Sequence, residues 1–191
     1  MVAAPPPHPE QPTSQSADPR LGRVVLDEPT LQARVRELAA QITLDYAGRP
    51  PILIGILKGA FMFVADLARA IDLPLDIDFL AVSSYGATTK SSGVVRMVKD
   101  IDVDVTGRHV ILVEDIVDTG ATLRYLRKHF AQRGAASVEF CTLLQKEDPA
   151  GAMPQLRYVG FAVPAEFLVG YGLDAGERFR NLPYIVVLNP E

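Results

Sequence analysis

The chain has 191 residues, 48% of them hydrophobic and 22% charged, so it can bury about 70% of its unfolded surface in one core. A formal net charge of -4 without a long basic run argues against partners held by a general positive field, nucleic acid and anionic membrane surfaces among them. No apolar run approaches the roughly 20 residues of a membrane span, the N-terminus lacks the basic and apolar regions of a signal peptide, and the single cysteine, Cys141, excludes an intrachain disulfide, all of which fits a reducing cytoplasm.

Residues 1–20 hold Pro5, Pro6, Pro7, Pro9, Pro12 and Pro19 among Ser, Gln and Ala, which predicts a disordered tail ahead of a single domain over 21–191. Residues 21–26 read as an edge strand. Asp27 is placed to cap a helix with Pro29 in its first turn, running to Ala47 before Gly48-Arg49-Pro50 stops it. Its apolar stripe is Leu31, Val35, Leu38, Ile42 and Tyr46, with Arg34, Arg36 and Glu37 turned to solvent. A buried-type strand over 51–57 meets Lys58-Gly59-Ala60 and then an apolar helix over 61–70.

A strand over 75–83 follows, with Leu75, Ile77, Phe79 and Ala81 on one face and Asp76 and Asp78 on the other. The small, hydroxyl-rich residues 84–93 predict a mobile hairpin before a strand over 94–98. Further strands are expected over 137–145, where Cys141 reads as a buried thiol, then over 157–163 and 184–188. His8, His109 and His129 fall in the tail, at a strand start and on a helix surface, so none is a catalytic candidate, and no Cys and His spacing suits zinc.

The stretch from His109 to Leu123 carries the chemistry. Val110 to Val113 is an unbroken apolar run suited to a strand buried on both faces, ending in an acidic tip; Leu123, Leu126 and Phe130 then recur at helical spacing. Thr119-Gly120-Ala121-Thr122 lies where that helix begins, so its backbone amides lack intrahelical partners and favour an anion such as phosphate. Glu114, Asp115 and Asp118 would repel phosphate unless they face a sugar or a metal. A phosphorylated ribose with magnesium meets all three demands. Acidic strand ends also occur in receiver domains and other doubly wound folds.

Val113-Glu114-Asp115-Ile116-Val117-Asp118-Thr119-Gly120 resembles the phosphoribosyl pyrophosphate motif of type I phosphoribosyltransferases, in the form found in hypoxanthine-guanine phosphoribosyltransferases. The resemblance extends over roughly residues 24–188. It implies that Thr119, Gly120, Ala121 and Thr122 hold the 5′-phosphate, that Glu114 and Asp115 address the ribose hydroxyls and their magnesium, and that Asp118 takes the purine N7 proton. Leu57-Lys58-Gly59 looks like the pyrophosphate loop with a cis peptide before Lys58, and Arg180 matches a pyrophosphate-binding arginine. Ser84-Tyr85 matches the start of an active-site lid. Lys146 matches the lysine that holds the purine 6-oxygen. Phe167 matches the aromatic stacked on the base, Leu168 the residue whose backbone meets the ring edge, and Asp174 a magnesium ligand. Two departures stand out: Ala175-Gly176 replaces a bulkier pair, and Ala121 sits where some members carry lysine.

The expected fold is therefore α/β, a mainly parallel sheet flanked by helices with a small hood and a lid loop, its ligand at the carboxyl ends of the strands. The implied activity is purine salvage by a homodimer or homotetramer: phosphoribosyl pyrophosphate and a 6-oxopurine give IMP or GMP and pyrophosphate, with Mg2+ required. A regulatory protein that keeps the phosphoribosyl site and binds nucleic acid is the rival, disfavoured by the acidic balance. A pyrimidine or adenine enzyme of the same fold would not call for Lys146 with Phe167.

Overall fold

The computed structural model describes residues 18–84, 95–118, 120–146 and 156–189. Most of the predicted tail, Thr119, the lid candidate Tyr85 with its following residues, and the loop after Lys146 lie outside the described residues. The described chain forms β1 (Leu21–Leu26), α1 (Glu28–Asp45), β2 (Ile52–Leu57), α2 (Phe61–Ala70), β3 (Asp76–Ser84) and β4 (Val95–Lys99). It continues with β5 (His109–Val117), α3 (Ala121–Gln132), β6 (Ser137–Lys146), β7 (Tyr158–Val163), β8 (Leu168–Val169) and β9 (Ile185–Leu188).

Six of these strands make one sheet in the order β4-β3-β2-β5-β6-β7. All its pairings are parallel except β3 with β4. The alternation of strands and helices produces this arrangement, because a parallel neighbour is reached only by crossing over a face of the sheet. Each face is consequently covered. Leu53, Ile111, Val113 and Leu143 pack against Leu31, Leu38, Phe63 and Leu67 of α1 and α2. Ile52, Ile54, Val110 and Leu112 pack instead with Leu126 and Phe130 of α3. Alternate residues of the same strands thus enter different clusters, which is why β2 and β5 are apolar without alternation. The hood is a separate antiparallel sheet, β1-β9-β8, so the first and last strands of the domain close on each other.

Local signals hold well at α1. Asp27 accepts a 2.9 Å hydrogen bond from the Thr30 amide, and all five stripe residues are buried. The helix ends at Asp45 with Tyr46 as its cap, two residues short of the predicted end. Arg34 is a correction: it does not face solvent but donates to the carbonyls of Val159 (2.7 Å) and Gly160 (2.9 Å) on the edge strand β7. The guanidinium fork is suited to reaching two neighbouring carbonyls at once. β3 supplies a second correction. Ile77 is 48% exposed, while Leu80, on the face assigned to Asp76 and Asp78, is fully buried. Both faces of β3 meet core, Phe79 on one side and Leu80 on the other, so alternation did not mark a single buried face. Asp78 tolerates its place because it accepts from the amides of Asp102 and Val103. Cys141 is fully buried, and burial pushes its thiol pKa up.

Phe63 is fully buried between α2 and the sheet, whereas Leu44 on α1 is 78% exposed. Phe63→Ala should cost about 3–5 kcal/mol through lost burial and a cavity, and Leu44→Ala no more than about 0.5 kcal/mol. Urea unfolding of both variants checks this; equal midpoints would refute the assignment of the core.

Candidate active site

β5 is longer than the apolar run suggests. It continues through Val117, so Glu114 and Asp115 belong to the strand, and the expected acidic tip is its last turn of pleat. Pairing with β6 persists as far as Val117 opposite Gln145, but pairing with β2 stops at Gly55 opposite Val113. Beyond that point the sheet opens on one side of Glu114. A cavity of about 470 Å³ lies there, lined by Lys58, Gly59, Glu114, Asp115, Thr122, Asp174 and Arg180 among others. A second hollow of about 120 Å³ is lined by Glu114, Asp118, Gly120, Ala121 and Thr122. Glu114 and Thr122 border both, so the two form adjoining parts of one site.

The smaller hollow is an amide cradle. Gly120 caps α3 at φ 68 with no side-chain cap hydrogen bond, a left-handed conformation in which a β-carbon is disfavoured. The first-turn amides of α3 therefore remain available to an anion. Asp118 stands beside this turn, and Lys146, the last residue of β6, reaches it: Nζ is 3.5 Å from Asp118 Oδ2. The proposed proton acceptor and the proposed base-reading lysine thus meet across two neighbouring strands. Phe167 is 58% exposed and so is not part of the core. Leu168 is buried and pairs with Val187 in the hood. Ser84 closes β3 opposite Val95.

In the larger cavity the Leu57–Lys58 peptide is cis. Gly59 passes so close to Asp115 that a β-carbon would overlap its carboxylate, and a β-carbon on Gly172 would overlap the Gly59 carbonyl. The loop is clasped between β5 and the hood. Gly172 also accepts a 2.8 Å bond from Arg180 Nη1 through its carbonyl. Its neighbour Tyr171, at φ 49, donates to Asp66 Oδ2 on α2 at 2.7 Å, and Gln32 of α1 donates to the same oxygen. Burial works to raise the Asp66 pKa, but these bonds and Arg69 outweigh it and hold the carboxyl low. This anchor for the hood was missed in the sequence, because nothing local links residues 32, 66 and 171.

The carboxylates differ sharply in their surroundings. Burial, reinforced by the Asp115 charge, pushes the Glu114 pKa well above the usual range, and burial raises Asp115 too. Glu114 Oε2 has no hydrogen-bond partner among the described residues. Asp174 is already engaged, with Oδ1 2.7 Å from Arg180 Nη2 and Oδ2 accepting from the Glu177 amide. Glu177 pairs with both Lys58 and Arg180, which hold its carboxyl below the usual range. Glu177 is a further residue that sequence reading passed over; it lies in a non-helical turn, where sequence spacing to Arg180 gives no signal. No group of three His, Cys, Asp or Glu side chains forms a ready metal cage among the described residues. Oxygen donors with a buried, unpartnered Glu114 oxygen nevertheless suit a hard cation whose coordination is completed by substrate, as is usual for magnesium.

The model of the phosphoribosyl transferase domain matches residues 24–175, and the chain belongs to that family. Within it, the chain is 50% identical over 173 residues to the hypoxanthine-guanine phosphoribosyltransferase of Mycobacterium tuberculosis, covering 87% of this chain and 86% of that one. It is 49% identical over 168 residues to the Bacillus subtilis enzyme of the same name, covering 88% and 93%. Among solved structures, a Staphylococcus aureus hypoxanthine phosphoribosyltransferase superposes with a TM-score of 0.85 at 44% identity, covering 90% of this chain and 93% of that one. A Bacillus anthracis hypoxanthine-guanine phosphoribosyltransferase gives 0.84 at 45% identity, covering 88% and 99%.

A carboxyl whose pKa is raised by folding binds its proton more tightly in the native state, so stability falls as pH rises above the ordinary glutamate range. Glu114→Gln should therefore melt higher than the parent at pH 8 without ligand or divalent cation, by about 2–4 °C for each kcal/mol relieved. The gain should shrink as pH falls into the ordinary glutamate range. Calorimetric melts of both proteins across pH 4–8 (roughly the span between those limits) test this; a variant that melts lower than the parent at pH 8 contradicts it.

Proposed function

We propose that the chain transfers the 5-phosphoribosyl group of phosphoribosyl pyrophosphate to hypoxanthine or guanine, releasing pyrophosphate and IMP or GMP. The observation that carries this reading is the meeting of Asp118 and Lys146 at the mouth of the amide cradle, in a hollow contiguous with the Lys58, Asp174 and Arg180 cavity. A purine needs a proton acceptor and a donor to its 6-oxygen; a phosphoribosyl group needs the cradle and cationic charge for its leaving group.

In this mechanism Gly120, Ala121 and Thr122, with Thr119 between Asp118 and Gly120, hold the 5′-phosphate through backbone amides and hydroxyls. Glu114 and Asp115 orient the ribose hydroxyls. Lys146 donates to the 6-oxygen, Phe167 stacks on the base, and the Leu168 backbone meets its edge. As the purine N9 lone pair attacks the ribose C1, the bond from C1 to the pyrophosphate oxygen breaks and the N7 proton passes to Asp118. Lys58, the Gly59 amide and Arg180 stabilise charge that grows on the departing pyrophosphate. Glu114, Asp115 and Asp174 would hold magnesium, which when bound neutralises phosphate charge. The Ser84-Tyr85 lid would exclude water from a cationic ribosyl centre. We place this chemistry in a cytoplasmic homodimer or homotetramer; no helix among the described residues is long and apolar enough to cross a membrane. An assay of hypoxanthine, guanine, xanthine, adenine and uracil with phosphoribosyl pyrophosphate and magnesium tests the reading, which fails if neither hypoxanthine nor guanine is consumed.

Asp118→Asn preserves shape but cannot accept the N7 proton, so turnover should fall by about 10²–10⁴-fold while phosphoribosyl pyrophosphate affinity changes little. Single-turnover kinetics check this, and an unchanged chemical step would remove Asp118 as the base.

Lys146 should carry base selection, because its ammonium donates to a 6-oxygen but meets another donor in adenine's 6-amino group. A required hydrogen bond of this kind discriminates by up to about 10⁴–10⁵-fold. Lys146→Gln, whose amide offers either donor or acceptor, should narrow the hypoxanthine-to-adenine ratio of kcat/KM. A ratio untouched by the substitution would show that Lys146 does not read the 6-position.

A further inference from the structure

The cations assigned to pyrophosphate are already paired, and one carboxylate pairs both. Glu177 Oε1 lies 2.9 Å from Lys58 Nζ, and its Oε2 lies 3.1 Å from Arg180 Nη2. The two oxygens thus bridge the two cations as a diphosphate would. The position is unusual for a glutamate: the backbone is at φ 67, in the left-handed region, where the Glu177 amide donates to Asp174 Oδ2 at 2.8 Å. The same amide bond ties the Glu177 backbone to Asp174, beside the two cations it pairs. Both Lys58 and Glu177 are largely exposed, at 66% and 63% of their side-chain surface, so the pairing is weak enough to exchange.

There is also somewhere for the displaced carboxylate to go. Glu177 and Arg180 border a second cavity of about 430 Å³, outside the catalytic one, into which Arg178 and Phe61 also face. Arg178 offers an alternative counter-charge there, shared with Asp18, which lines the same cavity.

We infer that Glu177 is an intramolecular stand-in for pyrophosphate: it bridges Lys58 and Arg180, the latter shared with Asp174, and must be displaced toward the Arg178 cavity when the diphosphate binds. The inference rests on the proposed function for its ligand. Its consequence is a deliberately lowered affinity for the diphosphate group. That affects the substrate and the pyrophosphate product together, so Glu177 trades tight capture for release. It touches no reacting atom and acts by competing with the diphosphate for the two cations.

The test uses the full chain with magnesium and inorganic pyrophosphate as the probe. Glu177→Gln keeps the shape and leaves the backbone cost of the left-handed position unchanged, but removes the charge. Titration calorimetry should show pyrophosphate binding about 3–10-fold tighter than in the parent, the range expected for releasing the exposed Lys58 pair together with the partly covered Arg180 pair, which Asp174 still holds. The advantage should fade as salt is raised, since exposed charges are screened. The KM for phosphoribosyl pyrophosphate should fall with it while kcat stays level or drops, and Glu177→Asp should return toward the parent. A purely structural role would lower affinity or melting temperature and show no such split. Pyrophosphate affinity that is unchanged or weaker in Glu177→Gln overturns the inference. If instead the parent itself transfers no phosphoribosyl group, the proposed function fails, whatever the calorimetry of the variants reports.

Discussion

Two half-buried carboxylates at the end of the central strand are the constraint on which the rest of the site depends. Glu114 and Asp115 follow directly from a β5 core in which Val110 to Val113 are completely buried, so they emerge where the sheet has not yet returned to solvent. Ionised carboxylates in such a place are costly unless a cation or donors reach them. Glu114 Oε2 finds no donor among the described residues, whereas Asp115 Oδ1 accepts from the Ile116 amide at 2.9 Å. The Glu114 oxygen is therefore an unfavourable feature of the fold, and a hydroxyl or a cation beside it would relieve the cost. Stability surrendered at a functional site in this way is common in natural proteins.

The neighbouring architecture keeps that site from collapsing. Gly59 can approach Asp115 only because the loop after β2 has no β-carbon there, and Gly172 presses on the Gly59 carbonyl from the hood side. The hood is in turn secured to the helical layer by Tyr171, Asp66 and Gln32. Two helices, one sheet end and the terminal strands β1 and β9 are thus coupled at one point. A polar network of this kind specifies a single arrangement more sharply than apolar contact, since a shift of the hood takes the Tyr171 hydroxyl away from Asp66.

Much of this was legible in local sequence. The N-cap at Asp27, the stripe of α1, the unbroken runs of β2 and β5 and the glycine turn before α3 each depend on neighbours within a few residues, and each was read correctly. The family motif over residues 113–120 likewise brought cradle and carboxylates together because they are contiguous. Arg34 and Ile77 were misread for the opposite reason. Arg34 faces solvent by helical spacing but bonds to carbonyls of β7, which lie more than 120 residues away. Ile77 alternates with buried residues yet lies outside both core clusters, while Leu80 is covered by the core shared with α3.

By itself the sequence determined which residue types could bind phosphate, accept a proton or donate to a purine, and the order of strands and helices that carries them. Those depend on side-chain chemistry and short-range periodicity. Only the tertiary structure decided that Lys146 would stand beside Asp118, that Glu114 would border two cavities at once, and that Glu177 would bridge Lys58 and Arg180. Each is a contact set by strand register and loop approach across long stretches of chain, where a shift of one residue turns a side chain to the opposite face of the sheet.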